Sequence, residues 1–502
     1  MVASVQPLSL LSAHSLLNIE SLIALSFLLA VLARSRSSSG STPLDESPVQ
    51  SSYIYLALMA VVGIAYCRVL GAPFVFDDYT HITDAHNATW SSIASAFGPV
   101  ERPPGLFYRP FGFLVYWLNY LIAGPDPRLW HAASLLFHAL NACLLYSLSR
   151  SLRFNWAASL GAALLFALSG SATEAVAWVD ARFDPMATGL VLGSLLCVCR
   201  FLDGGRLAWI AAACITGAAA FASKESAFCL PLLVACLWFF RPSDRKRLSI
   251  ALAVIASLTV IVFAYRWWAL GGIGGYRSAG GESNIASFSL VRMLNAVFIR
   301  DWTILFFPVN WSGSPGWLLS ALLLSAPVML GVIAWKTRPP RRAISGSLAM
   351  TILAALPVQH LLLIGVDLSN TRYVYLPSVG WALLWGSIFS ALPQPRWKAL
   401  AIGWMLALHL LIAQHNLQFW LRVPEDARQV CIDFGHTISS TQGTAIVGGL
   451  PLKRDGVVFL SNGFPECVGM NSGVPASRVT VYGTPNFIWN PVAGRIEPVP
   501  GR

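Results

Sequence analysis

Asp77 and Asp78 stand side by side in the string Phe76-Asp77-Asp78-Tyr79, within a few residues of an apolar stretch long enough to cross a bilayer. A carboxylate held against a hydroxyl can take its proton as a new bond forms, which contributes about 10²–10⁴-fold to a transfer rate. Cations follow at wider spacing at or near the ends of later apolar runs: Arg109, Arg182, Lys224 and Arg372. They suit an anionic group, arginine through its planar fork and lysine as a point charge. Glu174, Asp184, Glu225 and Tyr373 lie beside these cations in the chain. Charge at membrane depth is costly, so such a set reads first as one wet pocket. Structural duties are open for each residue. The acid pair would also stop a helix, Glu174, Arg182 and Asp184 would make a local ion-pair network, Lys224 and Glu225 would cap a hairpin, and Arg109 and Arg372 would anchor at the interface.

The elements that must position these groups are membrane helices. Of the 502 residues 56% are apolar and only 11% charged, and the mean hydropathy is +0.61. A soluble protein carries about a quarter charged residues, so that class is excluded. The net charge of +11 is spread in small groups with no basic stripe, which argues against a nucleic-acid partner. Apolar runs recur to about residue 416 and predict an all-α polytopic bundle of about eleven to twelve spanning helices. The expected division is an anchor helix and cytoplasmic linker over 1–51, a membrane catalytic domain over 52–416, and a small α/β cap over 417–502.

Six loops, at 34–51, 150–155, 200–206, 241–247, 336–342 and 394–398, hold 16 Lys/Arg against four carboxylates, Asp45, Glu46, Asp203 and Asp244. By the positive-inside rule they face the cytoplasm, and every candidate site residue then faces outward. Lys224 and Glu225 fall at the tip of a hairpin between apolar runs at 207–222 and 226–240. The segments 106–123 and 290–308, the latter with Arg300 and Trp302, are expected to lie along the outer interface. In the cap, Cys431 and Cys467 could pair in an oxidising compartment. Metal-type Cys/His spacing, phosphate-binding glycine loops and internal repeats are absent from the sequence.

Five short strings occur in order: Phe76-Asp77-Asp78, Tyr108-Arg109-Pro110, Thr173-Glu174-Ala175-Val176-Ala177-Trp178 with Arg182 and Asp184, Ser223-Lys224-Glu225, and Arg372-Tyr373-Val374-Tyr375-Leu376-Pro377-Ser378. This order over roughly residues 55–420 resembles the transmembrane O-mannosyltransferases that carry tetratricopeptide repeats, and their bacterial relatives, among the GT-C glycosyltransferases. The resemblance implies a GT-C-like bundle and a sugar, mannose in the family's name, carried on a polyprenyl phosphate. Transfer would go to a hydroxyl of a protein or glycan acceptor at the extracytoplasmic face, with inversion. It implies Asp77 as the base; Asp78 would orient the acceptor, hold a divalent metal with Asp77, or bind Arg182. Arg182, Lys224, Arg372 and Arg109 would receive the donor phosphate, with Glu174, Asp184, Glu225 and Tyr373 supporting them. Two departures stand out: Ser169-Gly170-Ser171-Ala172 replaces a histidine-containing stretch of the family, and the repeat array is replaced by the cap. Compact loops favour a bacterial inner membrane over the endoplasmic reticulum. A lipid flippase and a non-catalytic scaffold are the competing classes, although the matched broken helices of transporters are not seen in the sequence.

Overall fold

The structure is a computed structural model that describes residues 13–35, 48–99, 107–275 and 289–499. Asp45 and Glu46 of the linker lie outside the described residues. Among the described residues, seven helices are long and apolar enough to cross a membrane, or eight if the bent pair Trp156–Ala167 and Gly170–Ala177 forms one span. The chain is an integral membrane protein. Of the remaining expected spans, the first is the 22-residue helix Ala13–Arg34, and the others are shorter helices, including Leu207–Phe221 and Pro377–Ser390. The reason lies in the breaks: Ser223, Lys224 and Glu225 interrupt one apolar stretch and Leu168-Ser169 another, so that helices end where charged or polar groups are needed.

Local sequence sets these boundaries. Pro127 and Pro377 open helices at the first turn, where a missing N–H costs nothing. Asp126 accepts the N–H of Arg128 at 2.9 Å, and Asn155 accepts that of Ala158 at 2.8 Å. Gly205 closes Phe183–Gly204 in a left-handed conformation that glycine adopts without a Cβ clash. Between the helices runs an apolar core in which Phe166, Trp381 and Trp385 are fully buried.

The bundle has two polar ends. At one, Arg241 joins three of the basic loops, bonding Asp203 at 2.5 Å, Asp244 at 2.9 Å and the carbonyl of Ser151 at 3.0 Å. Arg34 likewise donates to the carbonyl of Trp335. The single helix Pro395–Ser439 starts among the basic residues Arg396 and Lys398 and has 45 residues. At 1.5 Å per residue it is about 68 Å long, roughly twice the hydrocarbon thickness, so it must project beyond the far side. It runs without a break through residue 417 and carries the cap.

In the cap, β1 (Ala445–Gly448), β2 (Lys453–Arg454), β3 (Val457–Val458), β4 (Val479–Thr480), β5 (Phe487–Asn490) and β6 (Arg495–Pro498) form two small sheets. One has the order β4-β1-β5-β6, with β1 parallel to β4 and β5 and β6 antiparallel to β5; β2 and β3 form the other. A disulfide between Cys431 and Cys467 ties the long helix to Phe464–Ser472. The 290–308 segment differs from expectation. It is a helix with a π turn at Ala296–Arg300, and its second half is buried, with Trp302 at 2% exposure. Arg300 donates to the carbonyls of Ile364 at 2.6 Å and Gly365 at 3.2 Å. Trp302, Ile304 and Leu305 pack into the apolar core of the bundle instead of lying on its surface.

Candidate active site

Asp77 and Asp78 open the helix Asp77–Asn87. Phe76 before them has φ 58° and ψ −124°, a conformation disfavoured for any residue with a Cβ. Asp78 clasps this turn. Its buried carboxylate accepts the N–H of Val75 at 3.1 Å and that of Asp180 at 2.8 Å. Asp78 therefore does not bind Arg182. Among the described residues no group of three or more His, Cys, Asp or Glu side chains stands ready for a metal. Asp77 is left partly exposed, with Asn462 Nδ2 donating to its Oδ1 at 3.1 Å.

Asn462 belongs to the cap. The next residue, Gly463, has φ +66°, and a Cβ there would come 2.3 Å from the Phe76 carbonyl oxygen. Only glycine permits this approach. Gly456 closes on the carbonyl of Asp367 in the same way, Lys453 pairs with Asp367, and Asn471 donates to the Tyr79 hydroxyl at 3.2 Å. The cap thus seats directly on the acidic turn.

One helical turn after Asp77, His81 Nδ1 stands 2.6 Å from Asp180 Oδ1. Burial pushes the Asp77 carboxyl up to about 6, and the nearby Asp180 charge adds to the effect, while His81 and Arg372 counteract it. For His81 burial acts downward, but Asp180 and Asp77 outweigh it and hold the imidazole up at about 9. A carboxylate whose pKa is raised towards neutrality, beside an imidazole charged at neutral pH, has the acid–base poise that proton abstraction requires.

Three of the four expected cations have an acidic partner from the expected set. Arg372 pairs with Glu174, whose other oxygen accepts the Arg372 backbone N–H and the Thr371 hydroxyl, both at 3.1 Å. Lys224 pairs with Asp184, and Arg109 grips Glu225 with Nη2 at 2.7 Å. Aromatic faces back these cations. Arg372 lies over Trp178 at 4.8 Å and Tyr373 at 4.5 Å, Lys224 over Tyr373 at 5.2 Å, and Arg109 over Phe183 at 5.3 Å. Shared contacts link the pairs: Tyr373 touches both Arg372 and Lys224, and the Phe111 N–H binds the Ala222 carbonyl at 3.1 Å, joining the Arg109 loop to the hairpin. The pairs and Asp77 collect at the cap-bearing end.

Arg182 departs from the expected arrangement. It is 0% exposed and donates to neutral oxygens: Ser134 at 3.0 Å, Asn119 at 2.7 Å and the Trp130 carbonyl at 2.5 Å. A buried guanidinium must satisfy its donors, and here it does so by bracing two helices rather than by facing the Asp77 carboxylate. Sequence reasoning did not single out His81, Asp180 or Asn462. His81 had a signal, because i+4 spacing puts it on the Asp77 face of a helix. Asp180 lies inside the Glu174–Asp184 motif, whereas nothing local marks Asn462.

No family model matches the sequence. Protein O-mannosyl-transferase TMTC1 of Homo sapiens is 31% identical over 152 residues, which are 28% of this chain and 17% of the relative. Protein O-mannosyl-transferase F38B6.6 of Caenorhabditis elegans is 24% identical over 396 residues, 70% of this chain and 53% of the relative. The chain thus spans about half or less of the length of these relatives. Two solved structures are similar in outline. ArnT from Cupriavidus metallidurans bound to undecaprenyl phosphate has TM-score 0.43 and 15% identity, covering 85% of this chain and 86% of that one. The Archaeoglobus fulgidus oligosaccharyltransferase has TM-score 0.47 and 12% identity, covering 86% and 64%. Superposition at this level carries no weight for reaction or ligand. The sequence relatives of the chain are the protein O-mannosyl-transferases, as the order of its charged motifs suggests.

Proposed function

We propose that the chain is a membrane glycosyltransferase that moves a sugar, mannose by the names of its relatives, from a polyprenyl phosphate to an acceptor hydroxyl on the extracytoplasmic face. The observation that carries this reading is the Asp77 carboxylate, raised to about 6 and held by Asn462 at the foot of the cap beside the His81–Asp180 pair. The acceptor hydroxyl attacks the anomeric carbon from the face opposite the phosphate, so configuration inverts. Its proton passes to Asp77 as the new C–O bond forms. The old C–O bond breaks with its electron pair going to the phosphate oxygen, and the diester becomes a monoester with nearly two negative charges.

Cations near that oxygen lower the transition state more than the ground state, which is the condition for raising kcat. Arg372, Lys224 and Arg109 take this role in our reading, while Arg182 holds the scaffold. Pairing with Glu174, Asp184 and Glu225 keeps the three cations in place before a donor arrives. The Cys431–Cys467 disulfide supports an oxidising, extracytoplasmic setting for the cap. The disposition of the 45-residue helix supports the same side, since it separates the cap from the basic loops.

The test is incubation of the purified full chain with labelled mannosyl polyprenyl phosphate and a panel of protein and glycan acceptors. Sugar transfer by wild type and its loss in Asp77→Asn are expected. Donor that crosses a vesicle membrane chemically unchanged would establish transport instead. Full transfer by Asp77→Asn would remove the base assignment.

A further inference from the structure

A second site lies at the opposite end from Asp77 and takes a different ligand. The helices Ala13–Arg34 and Trp317–Lys336 pack with their C-termini together, and a cleft of about 300 Å³ opens between them. Its walls are apolar: Leu22, Phe27 and Ala30 on the first helix, Pro327, Gly331 and Ala334 on the second. Phe27 forms an aromatic floor by stacking on Trp385 at 5.2 Å. A Cβ on Gly331 would meet nothing within 4 Å, so this glycine leaves part of the cleft empty. From Leu22 to Ala30 the helix rises about 12 Å, close to the hydrocarbon depth of one leaflet, about 15 Å.

Positive charge ends the cleft. One turn beyond Ala30, Arg34 donates to the Trp335 carbonyl, and two residues beyond Ala334, Lys336 lies over the rings of Trp335 at 4.6 Å and Trp397 at 5.8 Å. Arg338, Arg341, Arg342 and Lys398 follow in the adjoining segments. Among the described residues none of these cations has a carboxylate partner, in contrast to Arg241 on the same face. An apolar slot one leaflet deep, capped by unneutralised cations and an aromatic ring, matches a lipid with one chain in the slot and an anionic headgroup at its mouth.

We propose that this cleft binds an anionic phospholipid of the leaflet that the basic loops face. The lipid wedges the first helix against the bundle and is separate from any sugar donor. The test uses the full chain in nanodiscs of phosphatidylcholine with or without phosphatidylglycerol, followed by native mass spectrometry and thermal melting. Wild type should retain a phosphatidylglycerol molecule and melt higher when that lipid is present. Gly331→Leu, which fills the slot, should lose the retained lipid. Arg34→Gln and Lys336→Gln, which leave the slot intact, should each weaken the preference for phosphatidylglycerol over phosphatidylcholine by roughly 5-fold. Equal retention of the two lipids by wild type, or undiminished phosphatidylglycerol on Gly331→Leu, would overturn the proposal. Displacement of the retained lipid by polyprenyl phosphate would overturn it as well, by making the cleft part of a donor path.

Discussion

The two polar ends of the bundle use the same ion-pair chemistry for different purposes. At the basic end Arg241 gathers Asp203 and Asp244, and these carboxylates are open to solvent, with side-chain exposures of 44% and 23%. At the cap end Lys224 and Asp184 are 6% and 5% exposed, and Arg372 and Glu174 are 12% and 3%. Wet pairs fasten loops at small net gain, whereas dry pairs need each partner in place to avoid a stranded charge. Asp77 is the exception at the dry end. Asn462 donates to it through a neutral amide, so it is the acid held ready for a proton rather than for a cation.

The largest contrast between the ends should appear in activity. Asp77→Asn is expected to lower transfer by about 10²–10⁴-fold without changing the melting temperature materially. Asp203→Asn at the basic end should leave transfer unchanged in the same assay. Stability should then separate the dry pairs. Lys224→Met, by stranding Asp184, is expected to cost about 3–5 kcal/mol in denaturant or thermal unfolding, and the double change Lys224→Met with Asp184→Leu should recover much of it but not transfer. Breaking the Cys431–Cys467 bridge with serine should loosen the cap by about 2–4 kcal/mol and expose the Asp77 turn to proteolysis.

The acid–base comparison is finer. Transfer should rise with pH through about 6 as Asp77 loses its proton, and fall towards about 9 as His81 loses its charge. The His81 charge lowers the Asp77 pKa, so His81→Gln should move the rising limb to higher pH by about 1 unit in a pH–rate profile. A profile unchanged by His81→Gln would separate that histidine from the proton. The smallest effect is expected from Asp203→Asn on stability, within about 1 kcal/mol.

Much of the fold was legible because hydrophobic runs and the placement of Lys/Arg are local properties. The scarcity of charge forces helices, and the same scarcity makes Asp77, Glu174, Lys224 and Arg372 conspicuous. Interruptions were harder to weigh. Lys224 was readable as a hairpin tip, but the burial of Trp302 depended on which helices would pack over it. Among the site residues, Arg372–Glu174, Lys224–Asp184 and Arg109–Glu225 couple positions that the sequence had already marked, though not as pairs.

The sequence by itself determined that this chain crosses a membrane and that its charges fall at the ends of apolar runs rather than within them, because burying unpaired charge in hydrocarbon is costly. Tertiary structure decided which charges answer one another. Arg182 was drawn inward by Ser134, Asn119 and Trp130, Asp78 was consumed by two backbone N–H groups, and Asn462 reached Asp77 from 385 positions away. Such partnerships depend on distances of about 3 Å between segments remote in the chain, and only packing fixes those distances.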